Sequence, residues 1–282
     1  MGTALNLGFV AVEAAYGVIA GSMALLADAG HNLSDVLGLV IAWGAATVAR
    51  RAPTARYTYG LRSSSILAAF LNALLLLVAI TIIAVEAIGR FSDPAPVAGN
   101  TVMIVAAVGI VVNGVTAWLF ASGRKGDLNI RGAFLHMAAD AAVSAGVVIA
   151  GFVITRTGWS WIDPVTSLVI VAVIAIGTWG LLRDSVNMSL QAAPPGIDTA
   201  GITTFLLARP GVAAIHDLHV WPLSTTDTAL TVHLVVPQGV KGDGYVADLA
   251  GALHEQFGID HATVQIETGN GAPCRLEPDG VI

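Results

Sequence analysis

The stretch LLADAGHNLSDVLGLVIAWGAATV, residues 25–48, is an apolar run in which His31 precedes Asp35 by four residues. A second apolar run, residues 133–155, carries His136 and Asp140 at the same spacing. Residues four apart lie on one face of a helix, so each pair is half of a four-ligand cage. Two imidazoles and two carboxylates suit tetrahedral Zn²⁺. The sequence therefore predicts a metal-binding quartet.

The alternative is that each pair is a buried hydrogen-bonded contact that fixes helix packing. Ionisable groups at membrane depth cost roughly 3 kcal/mol each on insertion scales, and they persist mostly where they serve an ion or a proton. Because the motif occurs in two spans, we favour the metal-binding interpretation.

The composition is that of an integral membrane protein. Of 282 residues, 55% are hydrophobic and 11% are charged, whereas soluble proteins carry roughly 25% charged residues. Six apolar stretches are long enough to cross the bilayer. They are residues 4–20, 25–48, 66–88, 100–120, 133–155 and 163–182. Residues 21–23 (GSM) predict a tight hairpin between the first two spans. Glu13 interrupts the first stretch, which lacks the cationic start of a signal peptide.

Cationic residues predict the orientation of the spans by the positive-inside rule. One side carries Arg50, Arg51, Arg56, Arg62, Arg124, Lys125, Arg131 and Arg183, and the other only Arg90 and Arg156. We therefore expect both termini in the cytoplasm of a cell (inner or plasma) membrane protein, with Trp159 and Trp161 at the outer interface.

The pattern changes after Pro194-Pro195-Gly196. Residues 186–282 hold three basic and ten acidic residues, which indicates an acidic, water-facing domain. Helices are predicted at 198–208 and 245–257, and strands at 212–221, 228–236 and 262–267. The expected fold is an all-α transmembrane six-helix bundle, residues 1–189, followed by a small cytoplasmic α+β domain of order αββαβ, residues 190–282.

Several motifs resemble the cation diffusion facilitator family, in its zinc-efflux branch. They are LLADAGHNLSD, YTYGLRSSSILAAFLNA, DLNIRGAFLHMAADA, GWSWIDPVTSL, and HDLHVW followed by LTVHLVVP. The resemblance implies a membrane-embedded homodimer that exports Zn²⁺, with Cd²⁺ or Co²⁺ as other cargo, in exchange for protons. It implies a transport site of His31, Asp35, His136 and Asp140. It also implies a ferredoxin-like tail, similar to small metallochaperones, that binds regulatory Zn²⁺. No nucleic-acid partner is expected.

The chain departs from that family at three places. The loop SGRKGDLNIR lacks the histidines that relatives often carry there, and RRAPTARYTYG lacks the Asp or His of a further metal site. Serines near Ser63 and Ser65 replace a common Arg and Glu, with Arg62 nearby. Two other functions are alternatives to transport. An intramembrane zinc metalloenzyme would keep an open coordination position, and a membrane metal sensor would need an output domain.

Two further carboxylates precede the quartet. Glu13 either tunes the site or carries protons, or it pairs with a buried donor such as Asn32 or Ser34. Asp28 either lies on the exit path or meets the dipole at the start of its helix. Asn72 and Asn113 are expected to form interhelical hydrogen bonds.

The tail holds five of the seven histidines. His216, His233 and Glu267 match the family's cytoplasmic metal ligands by motif position, and Gln265 stands where some relatives have histidine. His261 or His254 would complete the site, unless both simply face solvent. His219 should face away from His216 on a regular strand. Cys274, the single cysteine, excludes an intrachain disulfide and is interpreted as a free thiol.

Overall fold

The computed structural model describes residues 2–49, 51–93, 95–121, 128–240, 242, 244–269 and 274–276. Arg50, Arg124 and Lys125, which support the predicted orientation, lie outside these residues. Two compact units are present, Met1–Ile41 with Leu71–Gly180, and Ala42–Phe70 with Leu181–Ile282. The predicted division at residues 189 and 190 stays a prediction.

Each predicted span is helical. The helices are α1 (Gly2–Ala20), α2 (Met23–Ala49), α3 (Ser64–Gly89), α4 (Gly99–Phe120), α5 (Leu128–Thr157) and α6 (Ile162–Ser189). Among the described residues, five helices are long and apolar enough to cross a membrane. The apolar part described for α1, Leu7–Ala20, is shorter.

The predicted hairpin between the first two spans is confirmed. Gly21 adopts φ +64°, a conformation that glycine takes without steric cost. The Ser22 amide donates to the Gly17 carbonyl at 2.9 Å, which closes the turn.

A carboxylate from α6 caps the start of α2. Asp163 accepts hydrogen bonds from the Ser22 hydroxyl and from the amides of Met23, at 2.6 Å, and Ala24, at 3.4 Å. These amides have no partner within their own helix. The first turn of α2 contains no acidic residue, so the proposed dipole role of Asp28 is wrong: Asp28 lies farther along the helix, and Asp163 fills that role.

Small residues let α4 and α5 approach closely. A Cβ on Gly99 would lie 2.7 Å from the Gly151 carbonyl oxygen, and one on Gly151 would lie 2.9 Å from that of Gly99. Small residues at helix interfaces allow van der Waals packing where lipid offers no hydrophobic driving force. Helix α5, which carries His136 and Asp140, therefore packs backbone to backbone against α4.

The tail has the predicted order. It comprises α7 (Thr199–Leu207), β1 (Ala214–Pro222), β2 (Thr228–Val235), α8 (Gly244–Phe257) and β3 (His261–Glu267). Strand β2 is central, antiparallel to β1 and parallel to β3. Leu230, Val232 and Leu234 of β2 are buried with Leu206 of α7 and Leu253 of α8. The two helices thus share one core with the sheet, and alternate residues of β2 face the other way.

A bulge in β1 corrects the expectation for His219. His216 is paired with His233, but His219 is paired with Thr231, and the register shifts between them. Asp217 has φ +52° at this point. Because the extra residue changes the alternation, His219 lies on the same sheet face as His216.

The segment that precedes α3 contacts the turn between β1 and β2, within one compact unit. Arg62 Nη1 lies 3.1 Å from Asp227 Oδ2. The Ser63 hydroxyl donates to the Leu223 carbonyl at 3.1 Å. Ser65 Oγ accepts from the Thr225 amide at 3.0 Å. The serines that depart from the family pattern therefore bind the tail.

Candidate metal centres

The four predicted membrane ligands meet with histidine and aspartate alternating. His31 Nε2 lies 3.3 Å from Asp140 Oδ1 and 3.7 Å from Asp35 Oδ2. His136 Nε2 lies 3.1 Å from Asp35 Oδ2 and 3.7 Å from Asp140 Oδ2. Each imidazole thus contacts the carboxylate of its own helix and that of the facing helix.

These separations suit a tetrahedral ion. Metal–ligand bonds of about 2.0–2.2 Å place neighbouring N and O ligands of tetrahedral zinc about 3.3–3.6 Å apart. His31, Asp35 and Asp140 offer ligand atoms that all lie within 4.8 Å of one another. His136 lies outside this mutually close group, but its Nε2 contacts both carboxylates. The donor set therefore suits Zn²⁺, and the contacts of 3.1–3.7 Å lie near the separation of neighbouring zinc ligands.

The site is reached through a cavity of about 300 Å³. Its lining residues are Asn32, Ser34, Asp35, Val36, Gly38, Asn72, His136, Met137 and Asp140. Asp140 is 3% exposed and His136 is 44% exposed, so one side of the quartet is buried and the other is open. A Cβ at Gly38 would lie 3.0 Å from the Asn72 amide nitrogen, so a larger residue there would displace the Asn72 side chain that lines the cavity.

The predicted span limits place His31 and His136 about one turn from opposite membrane surfaces, which conflicts with a shared depth. The helices resolve this conflict, since α2 begins at Met23 and α5 at Leu128. Both histidines then lie about two turns inside their helices. Two antiparallel helices whose motifs lie at the same depth bring each histidine beside the aspartate of the other helix. The contacts of His31 with Asp140 and of His136 with Asp35 show this arrangement.

Beside the quartet, Glu13 and Asp28 are fully buried. The Asn32 amide donates to Glu13 Oε2 at 3.2 Å, and the Ser144 hydroxyl donates to Asp28 Oδ2 at 3.0 Å. The contact with Asn32 agrees with one of the two alternatives for Glu13, that of pairing with a buried donor. Asn113 is 3% exposed, and its Nδ2 has no hydrogen-bond partner among the described residues.

A second ligand cluster lies on the sheet face of the tail. His216, His233, Glu267 and Cys274 offer ligand atoms that lie within 4.8 Å of one another. His233 Nδ1 is 3.2 Å from His216 Nε2, 3.0 Å from Glu267 Oε1 and 3.6 Å from Cys274 Sγ. Zinc bonds of about 2.3 Å to sulfur and 2.0 Å to nitrogen give an S–N separation of about 3.6 Å. We name these four residues the tail cluster.

Matches to family models cover most of the chain. The cation efflux transmembrane domain matches residues 1–188, and the cytoplasmic domain of cation efflux proteins matches residues 194–269. The chain belongs to the cation efflux family. Membership of this family makes it a membrane transporter and excludes the metalloenzyme alternative.

Curated relatives are similar over nearly the whole of this cation efflux protein. Zinc transporter ZitB of Escherichia coli is 37% identical, over 96% of this chain and 88% of its own length. The metal cation efflux system protein CzcD of Cupriavidus metallidurans is 36% identical, over 96% and 85%. A cadmium, cobalt and zinc/H⁺-K⁺ antiporter of Bacillus subtilis is 35% identical, over 93% and 85%.

One solved structure resembles the tail of this cation efflux protein. The metal-bound C-terminal domain of the CzcD transporter from Cupriavidus metallidurans is 38% identical. The match covers 25% of this chain and 99% of that domain, with a TM-score of 0.24.

The membership of the tail cluster differs from the prediction. His261 begins β3 and Glu267 ends it. Because six residues of strand span about 20 Å, His261 is too far from Glu267 to share a metal ion with it. His261 instead contacts the Tyr59 ring, at 5.5 Å between centroids. His254 is exposed and lies 3.5 Å from Asp260. Neither of these histidines completes the cluster.

Cys274 occupies the fourth corner of the tail cluster in this cation efflux protein. The interpretation of Cys274 as a free thiol missed this position, because Cys274 lies outside the predicted helices and strands and no periodic spacing relates it to the other three ligands. Its residue type was the only available clue, since thiolates are strong zinc ligands.

Other side chains orient the ligands of the tail cluster. Gln265, where some relatives have histidine, donates to Glu267 Oε1 at 2.8 Å. Asp217 contacts His219 at 2.9 Å and the second nitrogen of His233 at 3.5 Å. Such outer contacts fix the orientation of metal-binding imidazoles. Asp217 was not predicted, because its position depends on the bulge.

The pKa of the Glu267 carboxyl is lowered, which favours the ionised form that binds metals. Burial acts to raise the pKa of its carboxyl, but hydrogen bonds from Gln265 and Cys274, together with His216 and His233, outweigh burial and lower that pKa.

Proposed function

We propose that this cation efflux protein exports Zn²⁺ from the cytosol in exchange for protons, with Cd²⁺ or Co²⁺ as other cargo. The supporting observation is the alternating arrangement of His31, Asp35, His136 and Asp140, whose contacts of 3.1–3.7 Å lie near the separation of neighbouring zinc ligands. The names of the zinc and antiporter relatives agree with this cargo.

Proton exchange follows from the ligand chemistry. Zn²⁺ binds neutral imidazole and ionised carboxylate, so protons and metal compete for the same atoms. Without metal, a protonated imidazole is stabilised by the two carboxylates that it contacts. A site that holds either metal or protons, and opens alternately to each side, exchanges one for the other.

We further propose that the protein is a homodimer in the cell membrane, surrounded by lipid, with both termini in the cytoplasm. In this arrangement metal enters from the cytosol, attracted by the acidic tail. The sheet is available for dimerisation, because α7 and α8 share a core with one of its faces and no described helix covers the opposite face. Spans one, two, four and five would move against a scaffold that includes spans three and six, as the family resemblance implies.

The tail cluster is proposed as a regulatory Zn²⁺ site. Metal there would hold three strands and the segment around Cys274 together. The start of α3 contacts the same domain through Arg62, Ser63 and Ser65, so the tail has a direct connection to a membrane helix. Regulation requires that tail binding and transport-site binding change each other's affinity.

Transport by purified protein in lipid vesicles tests the proposal. Wild type should carry Zn²⁺, and the Asp35→Ala, Asp140→Ala double variant should not. An imposed pH gradient should accelerate uptake, and a dye on the opposite side should report proton movement. Undiminished flux in the double variant, or flux that is independent of the pH gradient, would contradict the proposal.

A further inference from the structure

Glu13 of α1 and Asp28 of α2 form a carboxyl pair inside the helical unit. Both residues are 0% exposed. Asn32, which follows Asp28 by one helical turn on the same face of α2, donates to Glu13, so Glu13 packs against the face that carries Asp28. Asp28 precedes His31 by three residues and therefore lies on nearly the same helix face. The pair is adjacent to the quartet but contributes none of its four ligands.

The hydrogen bonds of the pair are incomplete without a proton. Asn32 and Ser144 each satisfy one carboxyl oxygen. The other two oxygens, Glu13 Oε1 and Asp28 Oδ1, have no hydrogen-bond donor among the described residues. An ionised carboxylate has no hydrogen to donate, so two ionised carboxylates could not bond to each other. A proton shared by the pair supplies the missing donor.

We propose that Glu13 and Asp28 hold one exchangeable proton, which leaves when a divalent metal occupies the quartet. This inference rests on the proposed function and extends it, because the proton is bound outside the four metal ligands. Glu13 is the donor and Asp28 the ionised acceptor, which also accepts from Ser144. Two neighbouring carboxylates that are both removed from water do not both ionise readily.

Metal provides the driving force for release. A divalent cation one helical turn from Asp28 stabilises a second negative charge on the pair, and so favours loss of the proton. By linkage, reloading that proton weakens the binding of metal. The pair thus adds to the competition that takes place at the quartet itself.

The surrounding titratable groups leave the quartet as the main electrostatic partner of the pair. Helix α4, which packs against α1, contains no titratable side chain. Helix α2 contributes His31 and Asp35, and α5 contributes His136 and Asp140. The charge that the pair experiences therefore changes mainly with the state of the quartet.

Glu13→Gln is the sharpest variant. Glutamine keeps an acceptor for Asn32 and a donor for Asp28, but it cannot lose the proton. The readout is the number of protons released per Zn²⁺ bound, measured by calorimetry on the full-length protein in buffers of different ionisation enthalpy. That number should fall by about one, and the slope of log affinity against pH should fall by about the same amount. Glu86→Gln, an exposed carboxylate of α3 that contacts Arg90 at 3.7 Å, is the matched control and should change neither.

A wild-type proton count and pH slope in Glu13→Gln would overturn the inference. If that variant does not fold, Asp28→Asn serves in its place with the same expectation. Infrared difference spectroscopy of the wild type needs no variant: a neutral-carboxyl band should be present without metal and should diminish on addition of Zn²⁺. Absence of the band overturns the proton pair whatever the transport result, whereas a wild type that shows the band but neither binds nor carries Zn²⁺ contradicts the proposed function.

Discussion

The quartet and the tail cluster present comparable ligands on different scaffolds. The quartet takes two ligands from each of two helices, so the helical repeat alone aligns each pair. The tail cluster takes one ligand from each of three strands and one from the segment that follows, so it depends on register. Each half of the first site is therefore encoded locally and only the packing of α2 on α5 must join the halves, whereas every ligand of the second is brought in by the folded domain.

The two sites also differ in chemical softness. The quartet offers nitrogen and oxygen, while the tail cluster adds the sulfur of Cys274. Soft ligands favour soft metals. The transport site and the tail should therefore rank the same metals differently.

Loss of Asp140 should have the largest effect. It is the most buried carboxylate of the quartet, and it contacts both histidines. Asp140→Ala should reduce Zn²⁺ flux in vesicles at least about 100-fold, since even indirect contacts to metal ligands are worth 10–100-fold. Asp93→Ala, at an exposed carboxylate between α3 and α4, should transport normally. Comparable loss in both variants would mean a general effect on folding.

The tail cluster should depend on His233 and not on His261. In full-length protein with Asp35→Ala and Asp140→Ala, the remaining Zn²⁺ binding is attributed to the tail. His233→Ala should weaken this binding about 100-fold by calorimetry, because His233 contacts all three other members. His261→Ala should leave the Zn²⁺ affinity unchanged. If His261→Ala weakened Zn²⁺ binding more than His233→Ala does, the ligand set predicted from sequence would be correct.

Replacement of the thiol tests the difference in softness. Cys274→Ser, in the same background, should lower tail affinity for Cd²⁺ more than for Zn²⁺, by about 10-fold in their ratio. The flux ratio of the same metals through an intact quartet should not change. An unaltered tail preference would exclude Cys274 as a ligand.

Substitution of Asp217, the residue at the bulge of β1, should have the smallest effect, a small loss of stability. Asp217→Ala and Asp217→Gly both remove the carboxylate, but only glycine tolerates φ +52° freely. The alanine variant should be less stable than the glycine variant by about 1 kcal/mol. Native-state hydrogen exchange of the β1 and β2 amides measures this difference. Equal exchange in the two variants would show that the positive φ carries no strain.

The helices, the tail order and the quartet could be predicted because they rest on periodicity. His31 and Asp35 are neighbours in any helix, whatever surrounds them. His219 could not be placed, since its side of the sheet depends on a bulge that local sequence does not mark. Cys274 was missed because the order of residues along the chain does not reveal that it returns to the sheet. His261 was wrongly included because it lies at the opposite end of β3 from Glu267. Asp163 was not recognised as a cap because its partner helix begins 140 residues earlier.

The Asp163 cap has a mechanical consequence. Three hydrogen bonds fix the first turn of α2 to the beginning of α6, so this end of α2 is a pivot. Sliding α2 along its axis would break all three bonds together, whereas tilting about the pivot would preserve them. Displacement under tilting grows with distance from the pivot, so Asp35 would travel farther than His31. The two ligands of one helix would then separate unequally from α5, and the corner formed by Asp35 and His136 would open first.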